Sequence, residues 1–293
     1  MKRFNSIKMK TVNSLSGGKT SSYIAVHYPA DYELFALCCI ECHNAGRDID
    51  KRMRQMVNDK LQKYCPHYPE FVATSEDPKI LKTMFDLEQM IGREIIWLRG
   101  IGWEDMVRLK KAIPNQFKRF CTTMMKMQPI FEFLYKYTEL PVRMRIGFRY
   151  DEMERAERLR ESFKFAYKCE WQENSCRWVQ RWKKIDWRVG EFPLIDDRIT
   201  HYHVQKFWES KEIVFPEDSN CQNCFWKRPE QLRKNFENNP PIMWWSLILE
   251  ELQGNTFKNM SLRKIHDLPI QLDFFMEPAP VVRRVSVRID LNN

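Results

Sequence analysis

The stretch Ser16-Gly17-Gly18-Lys19-Thr20-Ser21-Ser22 holds the residue types in this chain that most directly suggest chemistry. Adjacent glycines let a backbone come close to an anion, the hydroxyls of Ser16, Thr20, Ser21 and Ser22 add donors, and Lys19 adds positive charge. If a strand ends before the glycines and a helix begins after them, free N–H groups and the helix dipole favour a phosphate there. The loop is not of the Walker A type, because the four-residue spacer between its two glycines is absent. The plain alternative is a Ser/Gly turn that caps a helix.

A second chemical signal is Cys221-Gln222-Asn223-Cys224. Two thiolates at that spacing can grip one metal ion, but they supply only half of a tetrahedral site. How the nine cysteines are read depends on the compartment. The basic start Met1-Lys2-Arg3 leads into polar residues rather than a signal core, and no apolar run reaches bilayer length, so a cytoplasmic, membrane-free protein is expected. In a reducing compartment the cysteines are thiols, ligands or redox groups rather than a disulfide framework. Cys38 and Cys39 lie in an apolar run and are expected to be buried free thiols.

A third signal is basic and aromatic. Trp171, Trp178 and Trp182 recur at i, i+7 and i+11, a spacing that shares one helical face, and Arg177, Arg181, Lys183, Lys184 and Arg188 surround them. Such a segment can stack the bases of a nucleic acid and track its phosphates, or pack over a core while its charges stay wet. Packing is the expectation, because exposed tryptophans are costly. Trp244-Trp245 is read as core. The net charge of +9 suits a polyanionic partner without naming it.

These residues need elements to position them. Apolar segments alternating with helix-like ones predict a parallel α/β sheet in the first half. Strands are expected at Thr11–Leu15, Glu33–Ile40, Phe71–Ala73 and Pro141–Phe148. Helices are expected at Ser21–His27, Asp48–Tyr64, from about Pro78 to Ile91, and at Cys121–Tyr137 with a bend near Pro129. A further helix opens at Asp151, and others lie at Thr200–Ser210 and Pro229–Leu252. The tail segment Val285–Leu291 alternates like an edge strand or docking arm, suited to a protein partner or to homo-oligomer formation. The expected organisation is a nucleotide-binding α/β domain over residues 1–165, a helical Trp- and Cys-rich extension over 166–276, and a tail over 277–293.

The loop resembles the PP-loop of the ATP pyrophosphatase and phosphoadenosine-phosphosulfate (PAPS) reductase superfamily, and three further segments recur in that family's order. Arg119-Phe120-Cys121-Thr122 with Lys126 and Pro129 is similar to one box, Gly147-Phe148-Arg149-Tyr150-Asp151-Glu152 with Arg155 to a second, and Pro193-Leu194-Ile195 before Thr200 and Val204 to a third. The resemblance spans roughly residues 10 to 230. It implies a doubly wound, Rossmann-like, mostly parallel α/β sheet of the adenine-nucleotide-hydrolase type, with a helical, Cys-containing C-terminal part. It also implies an adenine nucleotide, ATP or PAPS, at Ser16, Gly17, Gly18, Lys19, Thr20, Ser21, Arg149, Asp151 and Arg155. Mg²⁺ would accompany ATP. Lys126, Arg149 and Cys121 take catalytic roles under the same resemblance, and Cys121 becomes a third metal ligand beside Cys221 and Cys224, holding an iron–sulfur cluster or zinc. Cys169, Cys176, His201 and His203 stay open for the fourth position.

Two departures matter. Thr20 stands where the commonest loop has Asp, as in reductase-like proteins of phages and mobile elements. No cysteine follows Cys224, so the C-terminal nucleophile motif of true PAPS reductases is missing. Three functions remain open: a reductase-like enzyme acting on PAPS or adenylyl sulfate, an ATP pyrophosphatase that adenylates a nucleic acid or small molecule for sulfur modification, and a nucleotide-binding interaction protein without catalysis.

Overall fold

Strand β1 (Thr11–Leu15) runs into the glycine loop, and helix α1 (Lys19–His27) starts directly behind it. The computed structural model describes residues 9–269, so the tail segment Val285–Leu291 lies outside the described residues. Next come β2 (Tyr32–Leu37), β3 (Cys39–Ile40), α2 (Lys51–Tyr64), β4 (Ala73–Thr74), α3 (Lys79–Ile91), β5 (Ile95–Arg99) and α4 (Trp103–Lys110). A π-helical turn, Thr122–Met127, leads into α5 (Gln128–Tyr137), followed by β6 (Val142–Arg145), α6 (Met153–Glu157), β7 (Ser162–Gln172), β8 (Arg177–Asp186) and β9 (Arg188–Glu191). The remaining helices are α7 (Pro193–Asp196), α8 (His201–Glu209), α9 (Pro229–Asn238), α10 (Pro240–Gln253) and α11 (Leu262–His266).

Five strands form a central sheet in the order β5-β2-β1-β6-β9, with every neighbouring pair parallel. Helices cover both faces, as an α/β Rossmann-like fold requires. The strands show it by alternation: Phe35, Leu37, Ile95 and Trp97 enter one core, while Leu34, Ala36, Ile96 and Leu98 enter the other. Helices α1, α3 and α8 fill the first core through residues such as Ala25, Met84 and Trp208. Helix α5 fills the second through Ile130, Phe131, Phe133 and Leu134. Among the described residues no helix is long and apolar enough to cross a membrane.

Several expectations change. Strand β5 and helix α4 were not read from the sequence. Ile95–Arg99 is a short apolar run beginning three residues after Gly92, which ends α3 in the left-handed conformation, so it merges by eye with the helix before it. The expected helix over Pro229–Leu252 is two, because the second starts at Pro240, which cannot continue the first. Of the paired tryptophans, Trp245 is buried but Trp244 is 38% exposed, lying against Phe236 and His266.

The largest correction concerns the basic aromatic segment. It is an antiparallel hairpin, β7–β8, not a helix, and Trp171, Trp178 and Trp182 are 49%, 66% and 53% exposed rather than packed. Trp187, just beyond it, is the one of the four that is buried. Residue 165 lies inside β7, and the central sheet takes its fifth strand, β9, from beyond it.

Candidate functional site

The sheet order fixes where a ligand crevice can lie. The chain leaves β1 towards β2 and leaves β6 towards β9, so the loops after these two neighbouring strands diverge. An open α/β sheet binds ligands at such a switch point, outside the carboxyl ends of its strands. A cleft of about 780 Å³ sits there, between Ser14, Ser16 and Gly18–Ser21 on one side and Ile146–Arg149 on the other. Lys126, Arg155, His201, Gln205 and the segment Phe215–Asn220 complete its walls.

The glycine loop is held by its own hydroxyls. The Ser16 N–H donates to Ser21 Oγ (3.1 Å), and that hydroxyl donates to the Gly18 carbonyl (3.1 Å). Gly17 has φ +72°, and a Cβ there would lie 2.1 Å from Ile80 Cγ1, so the backbone runs tight against the core. A Cβ on Gly18 would lie 2.7 Å from Ser219 Oγ, which shows how closely the later segment folds over the loop. No side chain caps α1 at Gly18, which leaves the start of the helix directed at the cleft.

Four cations meet at the cleft, Lys19, Lys126, Arg149 and Arg155, and four carboxylates, Glu152, Glu209, Glu217 and Asp218, line it beside them. Arg149 donates to Thr20 Oγ1 (3.1 Å) and pairs with Asp151 (3.2 Å) and Glu152 (3.2 Å), so the second box is tied to the first through the Thr20 departure itself. Arg155 also pairs with Glu152 and lies 4.5 Å from the Phe148 ring centre. Lys19 bonds Gln205, and the Trp208 indole donates to the Lys19 carbonyl (2.9 Å). Lys126 Nζ lies 2.8 Å from the fully buried Glu76. Burial works against the Lys126 charge, but the Glu76 carboxylate and the nearby Cys38 and Cys221 outweigh it, so its pKa stands well above the ordinary lysine value.

Most of the expected nucleotide contacts therefore line one cleft, Ser16, Gly18, Lys19, Thr20, Ser21, Arg149 and Arg155, together with Lys126, for which a catalytic role was expected. Gly17 lies behind the loop, against Ile80, and Asp151 buttresses Arg149 from outside the lining.

Cys121 is not in the lining either. Burial pushes its thiol up to about 11, with Cys221 and Cys224 adding to the shift, and burial likewise pushes Cys224 up to about 11. The three expected metal ligands thus feel one another. As the side chains stand they do not make a site: among the described residues, no group of three or more His, Cys, Asp and Glu is arranged to hold a metal ion. Cys221 is engaged differently. The neighbouring thiol of Cys38 lowers the Cys221 pKa, and Cys221 in turn raises that of Cys38. Ser75 Oγ also donates to Cys221 Sγ (3.0 Å) and accepts from the Trp103 indole (2.8 Å). Cys38 and Cys39 are buried free thiols, Cys169 and Cys176 are exposed on the hairpin, and His203 accepts from the Thr200 N–H (3.1 Å) in the cap of α8. Of the two histidines, His201 faces the cleft.

Sequence reasoning missed Glu76, Gln205 and Ser219. Glu76 stood in Ser75-Glu76-Asp77, polar residues directly after β4, which pairs antiparallel with β3 apart from the central sheet, so no local signal marked it. Gln205 follows His201 by four residues on the same helical face. No family model, curated protein or solved structure matches this chain.

Proposed function

We propose that the switch-point cleft binds the phosphates, or the phosphosulfate, of an adenine nucleotide, and that the chain is a PP-loop enzyme of sulfur or adenylation chemistry. The observation that carries this reading is the convergence of an uncapped helix start with Lys19, Lys126 and Arg149 across two diverging strand ends. Backbone N–H groups, with Lys19, Lys126 and Arg149 held in place around them, suit a polyphosphate and stabilise the charge that develops on a leaving pyrophosphate or sulfate. The adenine base and the Mg²⁺ that would accompany ATP come from the sequence resemblance, and they and the cytoplasmic setting are part of the proposal. Glu76 acts as a positioning residue by holding the Lys126 ammonium at the cleft wall.

Within this reading, one observation favours adenylyl transfer over attack by a thiol. Among the described residues, no cysteine lines the cleft, and the thiols of Cys121 and Cys224 are held protonated by burial. A reductase-like reaction would depend on Cys221, which follows the lining residue Asn220. The residues do not fit a metal centre as they stand, so no step is assigned to one.

The test is calorimetric titration of the purified chain with ATP, adenylyl sulfate and PAPS, beside Arg149→Gln and Lys126→Met. Loss of one charge-assisted hydrogen bond, about 1.5–3 kcal/mol, corresponds to about 10- to 150-fold weaker binding of the preferred nucleotide in each variant. Wild-type affinity in both variants, or no binding of any of the three, overturns the reading. Pyrophosphate exchange that survives Cys221→Ser identifies adenylation; thiol-dependent consumption of adenylyl sulfate that is lost in the same variant identifies the reductase chemistry.

A further inference from the structure

The hairpin β7–β8 takes no part in the cleft. No residue of 162–186 lines it, and the register places the base of the hairpin at the opposite end of the strands. Asp186 ends β8, and Arg188, two residues on, pairs with Val142 at the start of β6, whereas the cleft lies beyond the end of β6 at Arg145. The two strand ends are about 10 Å apart at ~3.3 Å per residue. A function for the hairpin must therefore be its own.

Its two faces differ sharply. Across the register, Trp171 pairs with Trp178, Ala166 with Trp182 and Lys164 with Lys184. Side chains alternate along a strand, so these partners share one face, and a bulge at Tyr167 keeps Trp171 in phase with Lys164. All three exposed tryptophans thus stand together with two lysines. The opposite face carries Phe163, Phe165 and Ile185 at the base, packed into the core around Phe131, and above them Lys168 and Arg181, both paired with Glu170 (2.6 and 2.9 Å). The carboxylate in the middle of the hairpin is therefore neutralised on the anchored side. On the tryptophan side Lys164 faces Lys184 directly, and Lys164 Nζ lies 5.6 Å from the Trp182 ring centre. Like charges directly opposite one another destabilise a sheet, and Asp186, two residues beyond Lys184 on the same face, balances one of the two lysines and leaves the other to an external anion. Six cations against three carboxylates over residues 162–186 give the whole hairpin a net positive charge.

We propose that the tryptophan face of this hairpin binds single-stranded nucleic acid. Aromatic faces stack bases whatever their sequence, and flanking cations follow the backbone phosphates. A single strand fits better than a duplex because the stacking surfaces require bases with free faces. The hairpin holds the nucleic acid from the end of the sheet remote from the cleft, so it serves as a tether and not as a reacting site. The inference is independent of the nucleotide reading, since no residue is shared between the two.

The experiment uses the full chain and fluorescein-labelled oligothymidylate, oligouridylate and a mixed-sequence duplex, read by anisotropy and by quenching of tryptophan fluorescence. The expected result is binding of either or both single strands in preference to the duplex, with affinity falling as salt rises. The DNA and RNA arms tell the two sources of the strand apart. Each of Trp171→Ala, Trp178→Ala and Trp182→Ala weakens binding by about 5- to 100-fold. Lys164→Gln with Lys184→Gln lowers the salt slope by about 1.4, at ~0.7 per phosphate contact on a single strand. The urea midpoints of the same variants stay at the wild-type value, which shows that the fold is intact. Failure of wild type to bind either strand, equal affinity in the triple tryptophan variant, or self-association that the triple variant dissolves without any strand binding overturns the proposal.

Discussion

Gly17→Ala puts the glycine loop to a quantitative test. The residue sits at φ +72°, where an L side chain costs about 1–2 kcal/mol of backbone strain. The added methyl would also meet Ile80 Cγ1 at 2.1 Å and Cδ1 at 2.4 Å, and Ile80 is fully buried in the core beneath the loop. Overpacking of that kind costs about 1–3 kcal/mol, so the substitution should destabilise the chain by about 2–5 kcal/mol in urea unfolding. The two contributions separate in a double-mutant cycle. Ile80→Ala removes both clashing atoms at its own cost of about 2–5 kcal/mol, and the new methyl then enters the space that substitution leaves. The double variant should therefore be about 1–3 kcal/mol more stable than the sum of the single effects, while the strain at φ +72° persists. Nucleotide affinity, measured by calorimetry on the same four proteins, should drop in Gly17→Ala as the loop is pushed into the cleft and recover towards that of Ile80→Ala in the double variant. Additivity within about 0.5 kcal/mol, or a single-variant cost below that value, would refute the close contact between loop and core.

Two further predictions concern charge. Glu76→Ala leaves the Lys126 ammonium without its 2.8 Å partner and should cost about 3–5 kcal/mol in denaturant midpoint experiments, whereas Glu76→Leu combined with Lys126→Met should restore most of that stability while still lacking nucleotide affinity; equal instability of the single and double variants would deny the pair its role. Asp31 accepts from the Thr11 N–H (2.8 Å), which, against some burial and with help from Lys10 and the Thr11 hydroxyl, lowers its pKa to about 2 from an ordinary value of 3.8. A carboxylate lowered in the folded state contributes stability fully above about pH 4 and loses it as the pH falls through about 2. Because the side chain is more than a third exposed, about 1 kcal/mol is expected, and the stability of Asp31→Asn should fall less steeply than wild type between pH 4 and 2.

The sequence by itself named most of the loop residues that line the cleft. Glycines, hydroxyls and Lys19 after a short apolar strand could be read as an anion loop, because the strand, the turn and the helix start are all local signals. The alternation of strands and helices gave the α/β class for the same reason. What the sequence did not carry was every pairing over long separation. Glu76 and Lys126, fifty residues apart, meet only because β4 and the π-helical turn come together near the same end of the sheet. Strand β5 went unread because a fully buried strand has no alternation to show, only an apolar run that blends into the preceding helix. The tryptophan segment is the clearest case. A spacing of seven and four residues puts three side chains on one face of a helix, and across a hairpin it does so too, with Trp171 opposite Trp178 and Trp182 two side-chain repeats further on. Periodicity alone could not choose between the two, and it had no means of saying which face meets solvent. The tertiary structure decided that by packing Phe163, Phe165 and Ile185 against α5, which turned the tryptophans outward.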